Sequence, residues 1–261
     1  MSSEYGQNAP LSYNTYLKVP ELINLQETLS EPASHDELLF IIIHQTYELW
    51  FKQILHELDA SIKWLDAGRT FRANHSLRAV IGIEKVLVTQ IHILETMAQI
   101  GFLEFRDKLN PASGFQSMQF RELEFVSGAK DEKILNAFKH DDFAFERLTA
   151  RFNSPSLGDA FWGLLGRSGF AVDSREEKVQ AIVKILSKPD EHPDHFNMQD
   201  LLIEHDENIA LWRAHHVLMV ERMLGMKPGT GGSEGVGYLA STLTKKFFPE
   251  IWEARTHLKI A

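Results

Sequence analysis

The residues of this 261-residue chain best placed to do chemistry are histidines set inside helical apolar patterns. There are twelve histidines and no cysteine. Disulfides, zinc–thiolate sites, iron–sulfur clusters, thiolate-ligated heme and cysteine nucleophiles are therefore excluded, and imidazole is the natural metal ligand. His44 follows Phe40 by one turn, so both side chains leave the same face of a helix. An imidazole among Phe and Ile is desolvated, which keeps it neutral with one hydrogen bond to donate and one to accept. A core histidine bonded to a backbone carbonyl would give the same pattern. His215 and His216 are adjacent on another helix and point about 100° apart, so only one can face inward. An inward imidazole with nothing nearby to share a metal is what a single axial heme bond requires, and a satisfied core histidine is the alternative.

Arg106, in Phe105-Arg106-Asp107, could grip a carboxylate through two parallel bonds or simply pair with a surface acid. The stretch Pro228-Gly229-Thr230-Gly231-Gly232-Ser233-Glu234-Gly235 reads as a lid with Thr230 as its polar contact, or as a plain connector. Trp50, Phe51, Trp162 and Trp212 are expected in the core. Other chemistries fail on inspection. A helical di-iron site needs Glu-x-x-His twice, and no histidine has Glu three residues before it. There is no His-Glu-x-x-His, no Gly-x-Ser-x-Gly, and no Gly-Lys-Ser/Thr ending to the glycine-rich loop.

The elements that must position these residues are helical throughout. Ser34 and Glu37 suggest a capping box opening a helix over 36–65, with Leu39, Phe40, Ile43, Tyr47, Trp50, Ile54 and Leu58 on its apolar face. Gly68 ends it, and a second long helix is expected over 73–97. Residues 110–114 form a loop, and shorter helices cover 116–127, 131–151, 157–166 and 174–187. The stretch 188–193 separates these from a long helix over 196–224, which Gly225 ends. A last helix runs over 238–257, with a break at Pro249. The expected architecture is all-α, a single domain over 1–261 whose long core helices leave a slot for a flat cofactor.

The formal charge of -9 makes nucleic acid and anionic membranes poor partners. The longest purely apolar run, Leu38–Ile43, is far short of a membrane span. Residues 1–14 carry neither a basic start nor an apolar stretch, so no secretory signal is expected. A cytoplasmic location follows as an expectation.

Longer blocks carry a resemblance. They are Leu-Ser-Tyr-Asn-Thr-Tyr-Leu (11–17), Leu-Ser-Glu-Pro-Ala-Ser-His-Asp-Glu (29–37), Leu-Phe-Ile-Ile-Ile-His-Gln-Thr-Tyr-Glu-Leu-Trp-Phe-Lys (39–52), Phe-Arg-Asp (105–107), Pro-Ala-Ser-Gly-Phe-Gln-Ser (111–117), Leu-Trp-Arg-Ala-His-His (211–216) and Lys-Pro-Gly-Thr-Gly-Gly-Ser-Glu-Gly (227–235). In this order, and over nearly the whole chain, they resemble the tryptophan 2,3-dioxygenase family.

The resemblance implies a heme dioxygenase that cleaves the indole C2=C3 bond of L-tryptophan with O2 to give N-formyl-L-kynurenine, the first step of the kynurenine pathway. It implies one heme b per subunit, ferrous in the active form, with His216 as its axial iron ligand. His44 would face the indole N–H, with Phe40 packing on the ring and Phe102 beside it. Arg106 would take the amino-acid carboxylate and Thr230 the ammonium and carboxylate, with Ser113 in the distal pocket. Tyr13, Tyr16 and Leu17, in a segment spanning 1–20, would complete a neighbouring subunit's pocket, which implies a homotetramer. Three features depart from the pattern. Phe102 stands where some members carry tyrosine, Ala214-His215 replaces the more usual pair before the ligand, and the segment 168–205 is short. These departures leave open a same-fold heme monooxygenase acting on a substituted indole. A heme sensor or carrier would have no use for Arg106 and Thr230, and a silent helical interaction protein would purify colourless.

Overall fold

The computed structural model describes residues 11–225, 227 and 235–259, and among these there is no β-strand. Two short helices, α1 (Tyr13–Leu17) and α2 (Val19–Leu22), lead to α3 (Glu37–Asp66) and α4 (Thr70–Leu94). α3 is uninterrupted for 30 residues because no glycine or proline falls within it and its apolar positions recur every three or four residues. At 1.5 Å per residue it is about 45 Å long. It stops at Gly68, whose φ of 66° is the left-handed conformation that glycine adopts without strain. Trp50 sits at the edge of the buried stripe and is exposed, not in the core as the sequence suggested.

The capping box expected from Ser34 and Glu37 does not form. Ser34 Oγ instead donates to Glu104 Oε2 at 2.9 Å. The buried Glu37 carboxylate accepts from the backbone N–H groups of Leu29 at 2.6 Å and Ser30 at 3.0 Å, and from the Ser30 hydroxyl. Burial works against the Glu37 carboxylate, but these bonds outweigh it and hold its pKa below the ordinary value. Glu37 thus ties the incoming chain to α3.

Next come α5 (Gln99–Arg106), α6 (Met118–Ser127), α7 (Glu132–Ala137), α8 (Asp142–Asn153), α9 (Leu157–Arg167), α10 (Arg175–Ser187), α11 (Pro193–Leu224), α12 (Val236–Ser241) and α13 (Pro249–Ala254). The single helix expected over 131–151 is two, because Asp141 accepts from the Ala144 N–H at 3.0 Å and starts a new helix there. α11 starts at Pro193, three residues earlier than expected. A proline at the first helical position loses no bond and has the right φ. The helix expected over 238–257 is interrupted across 242–248. Asp206 on α11 explains the interruption. Its buried Oδ2 accepts from the N–H groups of Phe247 at 3.0 Å and Phe248 at 3.2 Å and from the Trp252 indole at 2.9 Å.

α4 packs along both α3 and α11, while α6 and α9 pack on α3. Leu58, Leu77, Val80, Leu87, Ile91 and Leu202 are among the side chains sealed in this core. Two buried polar contacts fix the α3–α4 register: Tyr47 Oη donates to the Leu87 carbonyl at 2.9 Å and Gln90 Nε2 to the Ile43 carbonyl at 3.0 Å. A satellite cluster around Phe125, Ile134, Phe138 and Leu148 joins α7 and α8 to α6.

Replacing Asp206 by alanine strands three donors in the core. We expect a loss of about 3 kcal/mol in denaturant unfolding, and a loss below a few tenths would refute its role.

Candidate functional site

One end of the helical core opens into a cavity of about 280 Å³, walled by α3, α4, α5, α6, α11 and α12. Its apolar side is built from Ile91, Leu94, Met97, Met219, Val220 and Met223. α3 contributes Phe40 and His44, whose rings lie 4.1 Å apart. Phe40 also packs against Phe102 at 5.7 Å and Phe105 at 5.5 Å, both on α5. The imidazole Nδ1 of His44 lies 2.7 Å from the Phe40 carbonyl oxygen. A carbonyl can only accept, so Nδ1 carries the proton and Nε2 is left as an acceptor. His44 lines the cavity, and its exposed surface faces it. Desolvation pushes its pKa below the ordinary value, against the opposing pulls of the Phe40 bond and the Glu48 charge.

α11 supplies His216. Its ring stacks parallel to Trp212, with centroids 5.2 Å apart and planes 4° apart. Neither ring nitrogen is hydrogen-bonded to another described residue, and the side chain lines the cavity. Burial, with a smaller push from His44, lowers its pKa to about 4, so it is neutral near pH 7. A neutral imidazole with a free lone pair is a metal ligand in waiting. No group of three or more His, Asp or Glu among the described residues could hold a metal ion. A metal at His216 would therefore bring its remaining ligands with it, as an iron porphyrin does. The apolar side of the cavity suits a macrocycle. His215, one position earlier, turns away and meets His92, ring centroids 5.2 Å apart.

Arg106, at the end of α5, also lines the cavity, 3.8 Å from the Asp107 carboxylate. α5 is anchored at its start, where Asp36 Oδ2 accepts from the Ala98 N–H at 3.3 Å. Ser113 lines the same wall and caps a 3₁₀ turn, Gly114–Gln116, by accepting from the Phe115 N–H at 3.3 Å. Its own hydroxyl proton remains available. Glu48, one turn beyond His44, accepts from Ser117 Oγ at 2.6 Å and Gln119 Nε2 at 2.8 Å. It thereby binds the Ser113–Ser117 loop to the helix that carries His44.

Phe40, His44, Phe102, Arg106, Ser113 and His216 thus converge on one cavity. Tyr13, Tyr16 and Leu17 do not line it; they lie exposed on α1, at 75%, 70% and 43%. Thr230 lies outside the described residues. Trp212, expected as core, is part of the site wall. Sequence reasoning also missed Glu48 and a buried charged group of Arg121, Glu124 and Arg213. Its one available signal was the i, i+3 spacing of Arg121 and Glu124 among Phe120, Leu123, Phe125 and Val126.

Comparisons with known proteins lead to one family. The family model described as tryptophan 2,3-dioxygenase matches residues 2–159 and 172–258. A tryptophan 2,3-dioxygenase of Nocardioides sp. is 49% identical over 257 residues, covering 97% of this chain and 96% of that protein. One of Herpetosiphon aurantiacus is 46% identical, covering 95% and 98%. One of Myxococcus xanthus is 40% identical, covering 95% and 89%.

The depressed pKa of His216 predicts a pH effect. Between its ordinary value of 6.5 and its folded value of about 4, the unfolded chain binds the proton and the folded chain does not. Stability of the cofactor-free protein should then be fullest above pH 6.5 and fall toward pH 4. His216→Phe should flatten that part of the stability profile in urea titrations, and an unchanged slope would count against the buried neutral state.

Proposed function

The chain belongs to the tryptophan 2,3-dioxygenase family, and on that premise we propose that it is a heme-dependent dioxygenase opening the indole ring of L-tryptophan with O2 to N-formyl-L-kynurenine. The observation that carries this reading is the pair of neutral imidazoles on one cavity, His216 without a hydrogen bond to another described residue and His44 with a fixed tautomer. Heme b, bound through His216 in the ferrous state, would supply the O2 chemistry and deliver both oxygen atoms to the product.

The protein's own part is binding and orientation. Phe40 and Phe102 offer a flat apolar wall to the indole. Nε2 of His44 accepts the indole N–H, because its Nδ1–H is committed to the Phe40 carbonyl. Indole N–H is a very weak acid, so His44 orients the ring and does not take its proton. Arg106 pairs with the carboxylate. Thr230 contacts the ammonium and carboxylate, and Ser113 is the polar group of the distal pocket. The apolar lining keeps water from the reacting bond.

The same proposal covers assembly and place. The protein acts as a homotetramer, with Tyr13, Tyr16 and Leu17 completing a neighbour's pocket. Their exposure supports this, as does the apolar surface left by Val86, Ile93, Leu211 and Leu218 on α4 and α11. We place the enzyme in the first step of tryptophan catabolism, which its family supports, and in the cytoplasm, which rests on its cysteine-free composition alone.

The deciding experiment is anaerobic reduction of the heme-loaded protein, addition of L-tryptophan and O2, and product mass. Tryptophan plus two oxygen atoms is expected. One added oxygen would make it a monooxygenase, and no product would remove tryptophan as substrate. In the same assay Arg106→Ala should raise the tryptophan concentration for half-maximal rate at least about tenfold, the effect of losing a charged hydrogen-bonding partner. An unchanged value would remove Arg106 from carboxylate binding.

A further inference from the structure

His44 and His216 stand in the same relation to an aromatic residue one turn back, and they are held in different ways. His44 lies four residues after Phe40 and bonds to its carbonyl at 2.7 Å. His216 lies four residues after Trp212, yet neither ring nitrogen bonds to the Trp212 carbonyl or to any other described residue. Its ring lies along the Trp212 indole instead, centroids 5.2 Å apart and planes 4° apart. Parallel planes at such a centroid distance make the offset stack that aromatic rings favour.

The indole is itself held in a closed circuit of rings. Trp212 meets Phe120 of α6 at 5.0 Å and Tyr47 of α3 at 6.1 Å. Phe51, one turn beyond Tyr47, completes the circuit, stacking on Tyr47 at 5.9 Å and meeting Phe120 at 5.6 Å. Tyr47, Phe51 and Phe120 are buried, and the Tyr47 hydroxyl is pinned to the Leu87 carbonyl of α4 at 2.9 Å. The indole N–H is buried beside the Tyr47 hydroxyl, short of a hydrogen bond, so ring contacts set the indole plane. Of the four rings in the circuit, Trp212 is the one that stacks on His216.

A metal-bound imidazole is ordinarily oriented by a hydrogen bond from its second ring nitrogen. We propose that Trp212 takes that part here, as a positioning residue whose indole face sets the plane of the His216 imidazole on the cavity wall. This rests on the reading that His216 is the axial ligand of an iron porphyrin. A parallel stack restrains the tilt of the ring without drawing on either nitrogen, which leaves a lone pair for the metal.

The test separates the aromatic face from the bulk of the side chain. Trp212→Phe keeps a ring to stack on, and Trp212→Leu keeps apolar volume alone. In the ferrous heme-loaded protein, the iron–histidine stretching band in resonance Raman spectra should shift and broaden in Trp212→Leu and return toward the wild-type band in Trp212→Phe. Heme affinity from Soret titration should fall about three- to tenfold in Trp212→Leu, the scale of one aromatic pair, and largely recover in Trp212→Phe. A folded Trp212→Leu protein with the wild-type band and wild-type affinity would overturn the proposal. Equal losses in the two variants would overturn it too, because they would make Trp212 a filler of space. A second measurement needs neither heme nor a leucine variant. In NMR spectra of the heme-free wild-type protein, the His216 ring protons, identified by their absence in His216→Phe, should lie upfield of their positions in the urea-unfolded chain, shifted by the indole face. Unshifted protons would mean that the stack is absent in solution and the proposal wrong, even if Trp212→Leu does not fold. A wild-type protein that develops no Soret band would sink the heme reading instead, and the ring-proton shifts would still decide whether Trp212 orients His216.

Discussion

A cavity among apolar helices collapses unless the helices are held apart, and the packing of α4 against both α3 and α11 does that here. α3 and α11 are the helices that carry His44 and His216. They face one cavity because α4 sets their separation, and the Tyr47–Leu87 and Gln90–Ile43 bonds fix the register of α3 on α4. Slippage of α3 by a single residue would turn His44 about 100° around the helix and out of the site. Buried hydrogen bonds with fixed partners resist such a slip better than interchangeable aliphatic contacts do.

The electrostatics of the cavity follow from the same geometry. Away from water an imidazole is easier to hold neutral than charged, and both cavity histidines have lowered pKa values for that reason. Buried charge in the wall is shared, as by Arg121, Glu124 and Arg213. The cavity is therefore apolar on the side of Ile91, Leu94, Met97 and Met219 and charged on the side of Arg121, Glu124 and Arg213.

Legibility in the sequence followed the length and purity of each pattern. α3 and α11 were readable because their apolar stripes run for several turns without a breaker. α5 was not, because its eight residues include Gly101 and no side chain caps its start. The break across 242–248 depends on Asp206, some 40 residues earlier, and no local pattern could announce it. Phe40, His44 and His216 were visible as chemistry within stripes, but only family resemblance supplied their roles. Arg121, Glu124 and Arg213 went unread because charges are ordinarily solvated. What buries them is a cavity assembled from distant segments.

The tautomer of His44 shows how much of the site is decided locally. In an α-helix the Phe40 carbonyl already faces the N–H four residues on, and the His44 side chain folds back to the same oxygen. Donor and acceptor of this bond both belong to α3, so the choice of nitrogen needs no second element. What the fold adds is desolvation, which removes the water that would compete for Nδ1 and the charge that would make both nitrogens donors. Helix geometry picks the nitrogen, and burial in the cavity keeps it that way. An acceptor nitrogen is therefore in place on the cavity before any ligand arrives, and binding spends no free energy on arranging it.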